Sequence, residues 1–412
     1  MIDEQAYQKV AQKLEELTDE MVAFQKAITA IPALSPENGG DGEWDRAMYI
    51  KEFLEKRGFT VEQIDAPDKR AKNGKRPNLI VTLPGKDHSR ALWLMAHMDV
   101  VPEGERRLWE TNPWEAVVKD GKIYGRGTED NQQGLTSAVF TLIAFKETGV
   151  QPELDIKVLL AADEETGSGY GLDYVLKTHP ELFRKEDIII VPDAGEPDSS
   201  MIEIAEKSIL WLKFKTTGKQ CHASTPDAGI NAFKAGSHLV VALEKLYDIF
   251  NKRDEVFQPP ISTFEPTMKE ANVQNVNTIP GEDVFYLDCR VLPDYSLEEV
   301  KSAIRTIADD IEKQFNVRIE FEPVQELQAA PATPPDAPVV KRLQEGVKAV
   351  YKVDAKPMGI GGGTVAAFFR QAGLPVAVWS TLDDTCHQPN EYAVISNMVN
   401  DAKVFAHVAL QK

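Results

Sequence analysis

Between Ala6 and Ala30 apolar residues recur at helical spacing, with Val10, Leu14, Leu17, Met21, Phe24 and Ile28 on one face, and Ile31–Pro32 closes the run. The pattern predicts one helix there and another over Trp44–Arg57, stopped by Gly58. Short apolar runs follow. Strands are expected at Phe59–Ile64, Asn78–Thr82, Ala91–Ala96, Asp155–Ala161 and Asp187–Val191, with helices at Gly134–Lys146 and Tyr170–Thr178. Strands interleaved with helices imply a mostly parallel sheet covered by helices on both faces.

The rhythm changes after about Ala205. Ile209–Thr216 alternates like a strand and Ala232–Phe250 is helical. Glu265–Asn275 and Asp283–Leu292 are strand-like, Ser296–Phe315 is helical, and Val317–Glu322 ends the series. This βαββαβ order is that of a ferredoxin-like α+β domain. A Pro- and Ala-rich connector, Gln328–Pro338, comes next. The last stretch returns to α/β: helix Val339–Tyr351, glycines Gly361–Gly363, helix Thr364–Ala372, strand Pro375–Trp379 and a helix from near Ser396. It is too short to stand alone. A chain of 412 residues suits two domains. The expected organisation is an α/β catalytic domain in two segments, 1–205 and 328–412, with the α+β domain, 206–327, inserted between them.

Several apolar runs end in residues that bind metals. Ala91–Ala96 leads to His97 and Asp99, Asp155–Ala161 to Asp163, Glu164 and Glu165, and Asp187–Val191 to Asp193. Pro375–Trp379 precedes His387, and the turn GRGTED ends at Asp130 before a helix. Strand ends of parallel sheets are where α/β proteins place their sites. Three adjacent carboxylates repel one another, and a divalent cation relieves that. Two imidazoles with several carboxylates suit zinc, manganese or cobalt.

Composition removes other classes. Lys and Arg number 46 against 65 Asp and Glu, a formal charge of −19, which argues against nucleic acid and anionic membranes as partners. Neither a basic, apolar leader nor an apolar run of ~18 residues occurs. Cys221, Cys289 and Cys386 are few, odd in number and without a CxxC pair, so a reduced, cytoplasmic chain is expected. Cys221 and Cys386 lack a triad context, and no serine elbow, HExxH or P-loop is present.

Taken in order, His97-x-Asp99, Gly125-Arg-Gly-x-x-Asp130, Glu164–Glu165 and His387 before Pro389, Asn390 and Glu391 resemble the M20 family of metallopeptidases. That group includes aminoacylases, succinyl-diaminopimelate desuccinylases, carnosinase-like dipeptidases, tripeptide aminopeptidases and glutamate carboxypeptidases. The resemblance covers nearly the whole chain and implies a lid and dimerisation role for the inserted domain. It implies two divalent ions, zinc first, with manganese or cobalt as alternatives. His97, Asp130 and Asp193 would hold one, and Asp130, Glu165 and His387 the other, Asp130 bridging. Asp99 would orient His97 through its second ring nitrogen, and Glu164 would be the general base acting on water.

Within GKQCHASTPDAG, His222 resembles the histidine that in dimeric members reaches the other subunit's site and stabilises the oxyanion, so a homodimer is expected. Asn275 and Arg290 resemble binders of a substrate carboxylate; Asn277 competes for the Asn role, and a structural salt bridge competes for Arg290. Gly361, Gly362 and Gly363 resemble the glycine-rich substrate loop. Two departures stand out. Asn131, Gln132 and Gln133 precede Gly134 where many members have Lys and Gly close behind the Asp, and Thr364-Val365-Ala366 stands where many have Thr-Asp-Ala. Asp rather than Glu at 193 accompanies dipeptidases and aminopeptidases in the family, which favours a small peptide with a free amino end over an N-acyl amino acid. The expected function is a two-metal dipeptidase or aminopeptidase. The alternatives are an N-acyl-amino-acid deacylase and, remotely, a non-catalytic binding protein on the same scaffold.

Overall fold

In the computed structural model, which describes residues 2–412, the apolar runs assemble into an eight-stranded sheet. Its order is Val61–Pro67, Lys75–Leu83, Leu154–Ala161, Asp87–His97, Ile188–Gly195, Val376–Ser380, Met201–Glu206, Lys356–Ile360. The four strands from Leu154–Ala161 to Val376–Ser380 are mutually parallel. They read as continuous apolar runs because helices cover both faces, and Ile188 to Pro192 are all buried. The flanks depart from the largely parallel expectation. Val61–Pro67 pairs antiparallel with Lys75–Leu83, which pairs antiparallel with Leu154–Ala161, and Met201–Glu206 lies antiparallel to Val376–Ser380. The first two strands are joined by residues 68–74, too few for the crossover that parallel pairing needs.

Helix Gly134–Thr148 is buried from Gly134 through Phe145, packed between strand Asp87–His97 and helix Ile395–Ala409. The N-terminal run is two helices, Glu4–Glu16 and Thr18–Thr29, rather than one. The Thr18 hydroxyl donates to Glu15 O at 2.7 Å, a local bond that competes with the helical ladder where the two meet. Among the described residues no helix is long and apolar enough to cross a membrane.

The chain divides into two units. The first runs to Ile204 and adds Thr333–Met358 and Phe368–Lys412; the second is Ala205–Ala332 with Gly359–Ala367. In the second, the strands Ser208–Thr217, Thr263–Lys269, Glu282–Val291 and Arg318–Leu327 alternate with helices Ala232–Ala242, Lys245–Ile249 and Leu297–Phe315 in the βαββαβ sense. The sheet is antiparallel, in the order Thr263–Lys269, Glu282–Val291, Ser208–Thr217, Arg318–Leu327. Strand Glu282–Val291 buries every second residue, so Phe285, Leu287, Cys289 and Val291 join Leu239, Val300 and Ile304 in a core. Each fully buried Leu, Ile or Phe contributes about 1.5–3 kcal/mol, so this unit has a core of its own. The helix expected over 232–250 is broken at Leu243–Glu244, and the strand expected to reach Asn275 ends at Lys269, past a register shift that begins at Pro266, which has no N–H to pair.

Candidate metal centre

Parallel strands bring their C-terminal ends to one edge of the sheet, and that edge collects the acidic and imidazole side chains. His97 is the last residue of its strand, Glu164 and Glu165 follow Leu154–Ala161 after two residues, and Asp193 lies near the end of Ile188–Gly195. The segment after Val376–Ser380 carries His387. His97 Nε2 stands 2.9 Å from Asp130 Oδ1, 3.5 Å from Asp193 Oδ1 and 4.0 Å from Glu164 Oε2. His387 Nε2 stands 3.1 Å from Asp130 Oδ2 and 3.1 Å from Glu165 Oε2. All seven residues singled out from the sequence, His97, Asp99, Asp130, Glu164, Glu165, Asp193 and His387, are thus gathered in one place.

Each is held by the backbone or by a buried partner. The Asp99 carboxylate accepts the N–H of Glu164 and that of Glu165, both at 3.0 Å, so one buried acid presents the Glu–Glu pair. His97 Nδ1 lies 3.1 Å from Asp99 O and 3.4 Å from its carboxylate, so the contact expected to orient the ring is made chiefly through the main chain. Glu391, fully buried, accepts from Arg126 Nη1 at 2.7 Å and from the N–H groups of Gly127, Glu129 and Asp130 at 2.9–3.1 Å. That closes the glycine turn and aims Asp130. Glu129 accepts from Asp383 N at 2.7 Å and from the N–H and hydroxyl of Thr385, fixing the loop that carries His387. Asn131 bonds to His97 N and Asp193.

Nothing in the sequence alone gives Glu129, Asn131 or Glu391 a role at the site. Glu391 had a signal, since it sits four residues beyond His387 in the quoted motif. Glu129 and Asn131 had only their place beside Asp130.

The triplet itself divides. Asp163, at φ +62, turns the chain so that its carboxylate faces Arg76 Nη2 at 3.3 Å, away from Glu164 and Glu165. A left-handed backbone is tolerated by Asp better than by most side chains.

Burial pushes the Glu164 carboxyl well above the usual carboxylate range and Glu165 up to about 7. For Asp130 burial acts the same way, but the two imidazoles outweigh it and hold the group low. Burial lowers His97, and Asp193 together with Asp130 and Asp99 more than reverses this, leaving it well raised. Bonds to Asp130 and Glu165 lift His387 to about 10. The protein therefore sets two imidazoles, both raised, among five acidic side chains of which Glu164 and Glu165 ionise only reluctantly, and no Lys or Arg among the described residues pairs with Asp130, Glu164, Glu165 or Asp193. A surplus of negative charge on nitrogen and oxygen donors fits divalent cations. One donor atom each from His97, Asp130 and Glu165 lie within 4.8 Å of one another, and so do those from His97, Glu164 and Asp193. Glu164 thus comes as close to a ligand's place as to a base's.

The remaining candidates lie in the second unit. His222 is exposed, in the two-residue strand Cys221–His222 paired with Thr278–Ile279, and its Nδ1 accepts the Ser224 N–H at 3.2 Å beside the Ser224 hydroxyl at 2.7 Å. Asn275 and Asn277 are both exposed and both use their main-chain carbonyls, to Thr278 N and Ala223 N. Arg290 is engaged by Asp288 at 2.7 and 3.1 Å and by Gly361 O at 2.9 Å. The glycines lead to Thr364, whose N–H donates to Glu206 at 2.8 Å.

Residues 93–411 match the model of peptidase family M20/M25/M40. Over 411 residues the chain is 39% identical to an uncharacterized metallohydrolase of Methanocaldococcus jannaschii, covering 95% of this chain and 99% of that one. It is 25% identical over 382 residues to a succinyl-diaminopimelate desuccinylase of Polynucleobacter necessarius, covering 91% and 94%. Human carnosine dipeptidase 1 shares the fold, with a TM-score of 0.75, 17% identity and 98% of each chain covered.

Proposed function

The chain belongs to peptidase family M20/M25/M40, and we propose that within it the protein hydrolyses the peptide bond of a small substrate with a free amino end, as a dipeptidase or aminopeptidase with two zinc-type ions. Membership makes it a metal-dependent hydrolase of amide bonds. The observation that carries the two-ion reading is Asp130, whose two oxygens reach separate imidazoles, His97 at 2.9 Å and His387 at 3.1 Å. His97, Asp130 and Asp193 would hold one ion and Asp130, Glu165 and His387 the other. Such ions, when bound, supply positive charge that acidifies water and polarises a carbonyl.

The chain's own groups account for the proton. Glu164 is the general base: it takes a proton from the attacking water as the C–O bond forms and delivers it to the nitrogen as the C–N bond breaks. Because His222 Nδ1 accepts from Ser224 N, its neutral ring carries the proton on Nε2, a donor suited to an oxyanion and, in a homodimer, given in trans. Arg290 and Gly361–Gly363, with Asn275 or Asn277, would bind the substrate's carboxylate end.

Likeness to a desuccinylase favours a second reading, an N-acyl-amino-acid deacylase. Free dipeptides set against N-acetyl and N-succinyl amino acids distinguish the two. The expected outcome is cleavage of the dipeptides; cleavage of the acylated set alone overturns the peptidase. Mixing His222→Ala chains with Glu164→Gln chains should restore part of the activity, and no recovery would remove the trans role.

A further inference from the structure

Asn131 opens the three-residue stretch that separates Asp130 from helix Gly134–Thr148, and it is buried. One side-chain amide here joins two strand ends. Its Oδ1 accepts the His97 N–H at 3.3 Å, and its Nδ2 donates to Pro192 O at 2.5 Å and to Asp193 Oδ1 at 2.7 Å. That Asp193 oxygen is the one 3.5 Å from His97 Nε2. Both amide hydrogens are committed, so the side chain has one orientation available to it.

Space at the helix start serves the same contact. A Cβ on Gly134 would sit 2.3 Å from Pro192 O and 3.0 Å from Asn131 Nδ2. The backbone conformation of Gly134 is ordinary helix, at φ −61 and ψ −44, so what the glycine supplies is room.

The other half of the centre is built without this amide. Asp130 is aimed by Glu391, the His387 loop is held by Glu129, and Glu165 N is held by Asp99.

We propose that Asn131 is a positioning residue that sets the spacing of the His97 and Asp193 donors, so that one of the two ions depends on it and the other does not. The inference rests on the two-ion reading above. Without the N–H, the Asp193 carboxylate is free to turn away from the neighbouring acids, and His97 loses a tie on its main chain. Losing a partner of this kind costs about 10–100-fold in metal affinity.

The test is stoichiometry and stepwise affinity for zinc, by calorimetry on protein stripped of metal, with cobalt absorption as a second readout. Asn131→Leu keeps the shape and removes every bond; Gly134→Ala keeps the asparagine and crowds it. Thr141→Val is the control, since it removes a buried bond from the same helix to Ser137 O without touching the centre. Both test variants are expected to keep one tight ion and to bind the second about 10–100-fold more weakly. The control should lower thermal stability and still bind two. Two ions at wild-type affinity in both test variants overturns the inference, while wild type that binds fewer than two overturns the reading beneath it. Should the variants fail to fold, zinc-loaded wild-type crystals decide: an Asn131 Nδ2 beyond hydrogen-bond distance of Asp193 overturns the proposal.

Discussion

Two acidic clusters, one buried and one half-buried, meet at Asp163–Glu165, and they find positive charge by different means. On one side Arg76, fully buried, pairs with Glu43, meets Asp163 Oδ1 at 3.3 Å and stands 3.7 Å from Asp68. On the other, the cationic partners of Asp130, Asp193, Glu164 and Glu165 among the described residues are imidazoles. The first cluster carries its own cation. The second, on the proposed two-ion reading, would take its cation from outside. Crowded carboxylates do not by themselves mark a metal site; what separates these two clusters is whether an arginine stands among them. In the run Asp163–Glu165 that distinction falls between adjacent residues.

The strongest test of the contrast is Glu164→Gln. It should lower turnover by about 10²–10⁴-fold with both ions retained. Loss of an ion instead would make Glu164 a ligand, as its 4.0 Å approach to His97 allows. Next comes Arg76→Met, which strips the other cluster of its cation and leaves Glu43 and Asp163 buried without a charge partner. A loss of about 3–5 kcal/mol in denaturant unfolding is expected, of equal size with zinc and with chelator. If zinc restored that stability, the two clusters would not be independent.

A smaller effect is the pH dependence of metal binding. In the metal-free protein His387, raised to about 10, holds a proton at neutral pH, and Glu165, raised to about 7, is partly protonated there. Ions must displace those protons, so affinity should strengthen as pH rises from about 6 to 8. Calorimetry in buffers of different ionisation enthalpy reads the release directly. Binding with no proton released would mean that His387 and Glu165 do not carry the protons assigned to them.

Much of this was legible along the chain. Apolar runs located the strands, and each of His97, Glu165 and Asp193 announced itself by following one. The βαββαβ order of residues 208–327 was readable because its periodicity is local. The antiparallel flanks of the large sheet were not, since period-2 patterning says nothing about strand direction. Nor was the break between the first two helices, at Leu17.

The roles of the supporting residues were hidden for a related reason. Glu391 lies 261 positions from Asp130, and Asn131 lies 62 from Asp193. A buried hydrogen bond specifies its partner by position in space, and a single sequence carries no record of that. The amino-acid order by itself determined which side chains could bind metal and which strands would deliver them. Only the tertiary structure decided which carboxylates meet an arginine and which meet imidazoles, because that depends on the direction in which a left-handed Asp163 sends its neighbours.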